Sequence, residues 1–144
     1  MASGVYLPSF EDVMEAVLDL GWDREDHHWA LYNASKVAAV NYNADTAYSA
    51  TNEIVGAGYT ARGQVVLGTA FTRPGAGVAK YSTNAVSWPS STLSGVRFVD
   101  MFAEGVVGDP LMLGIDLVDP VNTSDGTLLI TPHANGILTY DLTP

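Results

Sequence analysis

The sequence from residue 96 to residue 142 reads VRFVDMFAEGVVGDPLMLGIDLVDPVNTSDGTLLITPHANGILTYDL, and this stretch decides the fold class. Two of its runs, Val96–Phe102 and Leu111–Val118, are almost continuously apolar. Short apolar runs bounded by turn residues are typical of strands that are covered on both faces. The two runs therefore predict the central strands of a β-sheet.

Turn dipeptides divide the remainder of this stretch. Asp125-Gly126 and Asn135-Gly136 are strong signals for tight turns between antiparallel strands, and they flank residues 127–134. The pattern predicts a closing hairpin whose second strand is 137–142. Pro132 lacks an amide hydrogen, so its strand is expected at a sheet edge or at a bulge.

Shorter strands are predicted upstream, separated by turns that contain Gly, Pro and Asn. They are Trp29–Tyr32, Gln64–Leu67, Thr69–Thr72, Val78–Thr83 and Ala85–Trp88. No helical period after Gly21 is long enough to supply the crossovers of a parallel sheet. The prediction is a mainly β fold: an antiparallel, jelly-roll-like β-sandwich with one N-terminal α-helix. We expect one domain over residues 1–144, with the sandwich at 28–142.

The N-terminal helix is predicted at residues 9–20, after an arm at residues 1–8. Ser9 and Asp12 match a capping box, and Gly21 is expected to end the helix in the left-handed conformation. One face is apolar at helical spacing, at Phe10, Val13, Met14, Val17 and Leu18. The nearly uncharged arm is a candidate for packing on a neighbouring molecule.

Composition excludes several classes of function. The 144 residues include six basic and sixteen acidic side chains, so the net charge is −10. Phosphate backbones and anionic membrane surfaces repel such a chain, and we expect neither nucleic acid nor membrane as a partner. No apolar run approaches the ~20 residues of a spanning helix, and the N-terminus does not resemble an export signal, so a soluble chain is expected. With no Cys, neither disulfides nor thiolate metal sites are available.

Candidate chemical residues are few, and none forms a motif. His27 and His28 lie among acidic residues, but adjacent side chains of a strand point to opposite faces and cannot readily bind one metal ion. Asp116 and Asp119 are the nearest approach to a catalytic carboxylate pair, and their spacing also places them on opposite faces. We therefore predict no enzyme, no catalytic residue, no cofactor and no metal site.

A family resemblance adds to this interpretation. The chain resembles a family of small virion proteins of tailed bacteriophages in the order and spacing of an N-terminal amphipathic helix and four later segments, and the resemblance extends over nearly the whole chain. In this sequence the four segments are Gly58-Tyr59-Thr60 with Gly63; Trp88 with Ser90, Thr92, Leu93 and Arg97; Asp109-Pro110-Leu111 with Gly114 and Asp116; and Gly136-Ile137-Leu138. The Ala- and Asn-rich stretch Lys36–Thr51 departs from the family pattern, which has a shorter loop there.

The resemblance implies a non-enzymatic structural component of a virion that is assembled in the cytoplasm of a host bacterium. The leading hypothesis is a capsid decoration protein, which would bind the major capsid protein and copies of itself as an oligomer on the outer head shell. A tail, neck or fibre-base adaptor, which would bind tail or fibre proteins, is the first alternative. A carbohydrate-binding module that uses Trp22, Trp29, Trp88 or tyrosines as stacking platforms is the second.

Overall fold

The computed structural model describes residues 3–143, and it is mainly β, with antiparallel sheets and a short helix near the N-terminus. This confirms the predicted fold class. The elements are β1 (Gly4–Val5), α1 (Leu7–Met14), β2 (His28–Tyr32), α2 (Ala34–Ala39), β3 (Gln64–Val65), β4 (Ala70–Gly75), β5 (Val78–Ser82), β6 (Val86–Ser91), β7 (Val96–Phe102), β8 (Leu111–Val121), β9 (Gly126–Ile130) and β10 (Leu138–Asp141).

A five-stranded antiparallel sheet in the order β1-β8-β7-β2-β3 organises the structure. Its middle strand is β7, in which every side chain except Arg97 is buried. Strand β8 lies beside it and is buried over residues 111–114. The prediction that the two apolar runs form the centre of a sheet is confirmed, and β8 extends to Val121 rather than ending at Val118.

Both faces of this sheet are covered, which explains why β7 is apolar at successive positions. On one face Val99 and Met101 join a core that includes Trp88 and Leu128 from the smaller sheets. On the other face Phe98 joins a second, aromatic core. Its other buried members are Tyr6, Ala30, Tyr32, Val40, Phe102 and Leu111. The segments before β2 and after it therefore form a layer over the sheet.

The C-terminal strands do not form the predicted hairpin. Strand β9 pairs with β6, and β10 pairs with β5 in a three-stranded sheet of order β10-β5-β4. Both turn dipeptides do reverse the chain, since Asp125 and Gly136 have φ of 48° and 93°. A turn dipeptide specifies a local reversal but not the partner of the next strand. Pro132 lies between the two strands, so the expectation that it sits within an edge or bulged strand is wrong.

Two strands run further than predicted, each through a proline. The strand predicted at Thr69–Thr72 continues as β4 to Gly75, with Pro74 beside an irregularity of its pairing with β5, and the turn follows at Ala76 and Gly77. The strand predicted to end at Trp88 continues as β6 to Ser91 through Pro89, with a register shift between Trp88 and Ser91. At a bulge, the residue does not have to donate a hydrogen bond to the neighbouring strand. The strand therefore tolerates proline, which has no amide hydrogen.

The N-terminal helix is shorter than predicted. It spans Leu7–Met14 with Tyr6 at its N-cap position, and Ser9 is buried within it instead of capping it. Beyond Met14 the chain turns at Ala16, whose φ is 57°. Gly21 has the expected left-handed φ of 55°, but it lies well past the end of the helix. The expected bounds of 9–20 are therefore wrong at both ends.

The segment after β2 contains a second helix, α2, which was not predicted. Asn33 caps it, because its side-chain oxygen accepts a hydrogen bond from the Ser35 amide at 2.9 Å. The part of the expected arm that lies within the described residues is ordered, since Gly4 and Val5 pair with β8. Residues 1, 2 and 144 lie outside the described part. One domain over 1–144, with the sandwich at 28–142, stays a prediction.

Between residues 3 and 143, no helix has both the length and the apolar character that crossing a membrane requires.

Candidate functional site

The two adjacent histidines have separate surroundings. His27 is fully buried, and its Nε2 donates to the Gly21 carbonyl at 2.8 Å. Burial lowers the pKa of His27 below its ordinary value. His28 instead contacts the Arg62 carbonyl and the Glu104 carboxylate. The two rings therefore have different partners, and the described residues contain no group of three or more acidic or histidine side chains that could hold a metal ion.

The two candidate carboxylates are also separated. Asp116 accepts a hydrogen bond from Arg97 Nε at 2.6 Å, and its side chain is 4% exposed. The Arg97 guanidinium lowers the pKa of Asp116. Asp119 is exposed at the far end of β8. Asp116 thus anchors β7 to β8, and the two carboxylates share no site.

The tryptophans are placed mainly in the core. Trp29 and Trp88 are 3% and 0% exposed, so neither presents an open ring face to a ligand. Trp22 is half-buried, and its ring meets Tyr81 edge-on at 5.3 Å between centroids. Trp88 belongs to the hydrophobic core beside the central sheet. A sugar platform would need a flat aromatic face in solvent, which Trp29 and Trp88 do not provide.

A polar cluster organises the long segment after α2, and sequence patterns did not reveal it. The Glu53 carboxylate accepts hydrogen bonds from the hydroxyls of Tyr48 and Tyr59 and from the Arg62 amide. Burial raises the pKa of Tyr59, so its hydroxyl stays protonated and able to donate. The three donors belong to residues spread between positions 48 and 62, which is why no short motif marks the cluster.

Arg62 extends this cluster to the end of β7. Its guanidinium pairs with Glu104 at 2.9 Å and with Asp109 at 2.8 Å. It also lies over the rings of Tyr48 and Phe102, at 4.7 and 5.0 Å from their centroids. Charge pairing and ring stacking together hold the long segment against the central sheet.

An acidic surface covers α1 and the turn that follows it. Its carboxylates are exposed, and they are Glu11, Asp12, Glu15 and Asp19. Within the described part of the chain, none of these four forms an ion pair. Met14 and Val17 lie among them and are 70% and 71% exposed. We refer to residues 11–19 as the acidic helix surface.

The opposite charge is concentrated on the hairpin of β4 and β5, residues 70–82, which we call the basic hairpin. Arg24, Lys36, Arg62 and Arg97 are neutralised by nearby carboxylates. The two remaining basic residues, Arg73 and Lys80, form no ion pair among residues 3–143, and both lie on this hairpin. Phe71 is 45% exposed beside them.

The basic hairpin also presents an open sheet edge. Strand β4 pairs only with β5 in the described structure, so its outer backbone groups have no strand partner. Such edges are templates for pairing with another chain, and charged or proline residues on them restrict which chains can pair. Arg73 and Pro74 occupy this edge. The hairpin is thus charged, partly apolar and open on one side.

An apolar cleft lies between β8 and the segment after β9. Its volume is about 300 Å³, and most of its lining is aliphatic, including Ile115, Leu117, Ile130 and Ile137. His133, which is exposed, lies at this cleft. The cleft has the character of a contact surface, because it places apolar side chains beside solvent without a charged group in its lining.

Comparison with known proteins gives no family assignment. No protein-family model matches the chain, no curated protein matches its sequence and no solved structure matches its fold.

Proposed function

We propose that this chain is a structural component of a tailed-bacteriophage virion, a decoration protein that binds the outer head shell as an oligomer. The proposal begins with the resemblance of the four sequence segments to small virion proteins. One observation supports it further. Among residues 3–143, the two basic residues without an ion pair lie on the basic hairpin, whereas exposed acidic and apolar side chains lie on the acidic helix surface. The partners would be further copies of the chain and the major capsid protein.

Self-association must overcome general repulsion, because each copy has a net charge of −10. A contact between two acidic surfaces would increase this repulsion. The basic hairpin is the surface that avoids it, since Arg73 and Lys80 have no carboxylate partner within residues 3–143. Docked on the acidic helix surface of a second copy, the hairpin would bring opposite charges together and orient the encounter.

The same contact would remove apolar surface from water. Phe71 on the basic hairpin and Met14 and Val17 on the acidic helix surface are all exposed. Burying apolar area contributes about 25 cal/mol per Å², so a few such side chains add materially to a weak interface. Charge would select the partner, and apolar burial would stabilise the contact.

Two unlike surfaces that meet form a heterologous contact, which builds rings or open arrays rather than a closed symmetric pair. An array of this kind suits a protein that covers a capsid lattice. Each contact can be weak, because the shell holds many copies beside one another and their contacts act together. The proposed role requires no reaction with a substrate.

Sedimentation velocity of the purified chain over a range of concentrations tests the contact. Arg73→Gln should lower the sedimentation coefficient at high concentration, and added salt should do the same by screening the charges. Ser94→Glu is the matched control, because Ser94 is exposed away from the hairpin and the substitution changes the net charge by the same amount. A wild-type chain that remains monomeric throughout, or variants that weaken association equally, would contradict the contact.

A tail, neck or fibre-base adaptor is the second candidate. The apolar cleft favours it, because an adaptor needs a surface that binds a different protein and not further copies of the chain. Replacing Ile137, which lines the cleft, with Asp would distinguish the two roles. We expect this variant to retain self-association and incorporation into the head if the chain is a decoration protein, whereas loss of incorporation at a tail would favour the adaptor.

A further inference from the structure

Lys36 and Asp100 form an ion pair inside the protein. Lys36 Nζ lies 2.9 Å from Asp100 Oδ2, and the two side chains are 10% and 0% exposed. Transferring two charges from water to an interior is costly, and only good pairing and further hydrogen bonds offset the cost. Lys36 lies on α2 and Asp100 at the middle of β7, so the pair joins the covering layer to the central strand.

The surroundings of the pair are aromatic and contain one strong donor. The Tyr6 hydroxyl donates to Asp100 Oδ1 at 2.6 Å in the interior. Lys36 Nζ lies 5.0 Å from the centroid of the Tyr32 ring, and the Phe98 side chain is fully buried in the same core. Among residues 3–143, no donor makes a hydrogen bond of good geometry to Asp100 Oδ2. The Lys36 nitrogen is close to this oxygen, but its direction does not suit a hydrogen bond.

This environment favours the uncharged form of Asp100. In a medium of low dielectric constant, a proton that moves from the ammonium to the carboxylate removes both charges. Burial raises the pKa of Asp100, although the positive charge of Lys36 and the hydrogen bond from Tyr6 oppose the rise. When a proton passes from the Lys36 nitrogen to Oδ2, an amine nucleophile is left in contact with a carboxylic acid, its electrophile. Groups that a fold holds in contact gain much of the rate advantage of an intramolecular reaction.

We propose that Lys36 and Asp100 become joined by an isopeptide bond between Nζ and Cγ, formed by the folded protein without another enzyme. The ammonium first gives one proton to Oδ2, and the amine nitrogen then attacks Cγ. Electrons of the C–O double bond move to Oδ1, and a C–N bond forms. A second proton passes from nitrogen to the Oδ2 hydroxyl, the electron pair on Oδ1 re-forms the C–O double bond, the C–Oδ2 bond breaks and one water leaves. An ammonium and a carboxylate thus become an amide and a water, with no change of oxidation state.

Tyr6 has a defined part in this step. Its hydroxyl already contacts Oδ1, the oxygen on which negative charge develops during the attack. Burial raises the pKa of Tyr6, which keeps the hydroxyl protonated and available as a donor. A donor fixed in advance at a developing oxyanion is one of the larger contributions to catalysis.

The water has a route out of the protein. Lys36 lies at the wall of an open cleft of about 360 Å³, together with small residues such as Ala39, Ala44 and Ala47. The departing water can enter this cleft instead of being trapped beside the amide, where it would favour hydrolysis. The bond would fasten α2 permanently to β7. This inference does not depend on the proposed virion role.

Mass spectrometry of the intact, purified protein tests the bond. The expected mass is about 18 Da below the mass of the sequence, which is the loss of one water. Trypsin should fail to cut after Lys36, and a branched peptide should join residues 25–62 to residues 98–144. A protein of full sequence mass that trypsin cuts normally after Lys36 would overturn the proposal.

Three variants locate the reaction. Lys36→Met keeps most of the buried stem but removes the amine, so its mass should equal that of its sequence. Arg24→Met is the matched control, because Arg24 is an exposed basic residue paired with Asp26, and this variant should still lose one water. Tyr6→Phe should slow the loss of water from freshly translated protein by about 100-fold, as for removal of one oxyanion donor. A loss of water that persists in Lys36→Met, or an unchanged rate in Tyr6→Phe, would contradict the mechanism.

Discussion

At the scale of single residues, Ala16 holds a position that most helices give to glycine. Its φ is 57°, and it follows the end of α1. The Val17 amide donates to the Asp12 carbonyl at 2.8 Å, and the Ala16 amide donates to the Val13 carbonyl at 3.2 Å. These two bonds define a Schellman motif, in which the left-handed residue is usually Gly because a Cβ is strained there.

Ala16→Gly should therefore stabilise the protein. Relief of the left-handed strain exceeds the extra entropy that glycine gives to the unfolded chain, and we expect a gain of about 0.5–1 kcal/mol. Urea denaturation measures the free energy of unfolding. Ala38→Gly is the control, because Ala38 is exposed within helix α2, and it should destabilise by up to about 1 kcal/mol. Equal effects of the two substitutions would show that Ala16 is not strained.

His27 makes stability depend on pH. Burial lowers its pKa in the folded protein, whereas the unfolded chain titrates near the ordinary value of about 6.5. The unfolded state therefore binds more protons as the pH falls through about 6.5, and the stability that neutral His27 contributes above that pH is lost towards pH 5. Denaturation at several pH values should show a smaller loss for His27→Gln than for the wild type. His133→Gln, at an exposed site, should behave as the wild type does.

At the scale of elements, the partner of β9 decides how the chain closes. Strand β9 pairs with β6, and Leu128 stands opposite Trp88, both of them buried. The neighbouring Leu129 is 58% exposed. Successive side chains of a strand point to opposite faces, so Leu128 is buried and Leu129 is exposed. Comparing substitutions at these two residues therefore tests the register of β9.

Leu128→Ala should destabilise the protein by about 2–5 kcal/mol, because it leaves a cavity beside Trp88. Leu129→Ala should change the free energy of unfolding by no more than about 0.5 kcal/mol. Denaturant unfolding monitored by tryptophan fluorescence measures both. A reversed order would mean that β9 faces the other way, as a register slip of one residue would produce.

Local patterns predicted the strands well and their pairing poorly. Strands β7 and β8 were predicted because a strand that is buried on both faces is an apolar run. Such a run can be recognised without knowing the rest of the chain. The pairing of β9 and β10 depends on which strands the whole fold brings beside them, and a turn dipeptide carries no such information. Helix α1 ends at Met14, because the hydrogen bonds of the helix terminus form around a left-handed Ala16 although no glycine stands there.

The candidate surfaces were predictable only in part. Composition shows that basic residues are scarce, but it does not show which of them are neutralised. Arg73 and Lys80 differ from Arg62 and Arg97 because of partners that are brought close by folding. The buried pair of Lys36 and Asp100 joins positions 64 residues apart along the chain, and no local motif marks it.

At the scale of the whole molecule, charge is distributed unevenly on an acidic protein. The basic hairpin and the acidic helix surface would attract each other between copies, while the remaining surface repels. Reversing one side, by Arg73→Glu or by Glu15→Arg, should weaken association. Combining the two substitutions in one chain should restore part of it, because the charges are again opposite. Light scattering at equal concentration measures all four proteins, and a double variant weaker than both single variants would contradict the pairing.

The most direct test of the central claim, that this protein acts by repeated contacts on a head shell, is cryo-electron microscopy of virions whose genome encodes the chain. We predict density that fits the described fold at regularly repeated positions on the outer surface of the head, with the basic hairpin of one copy against the acidic helix surface of the next. Density for this chain only at the tail, or none in the particle, would contradict the claim.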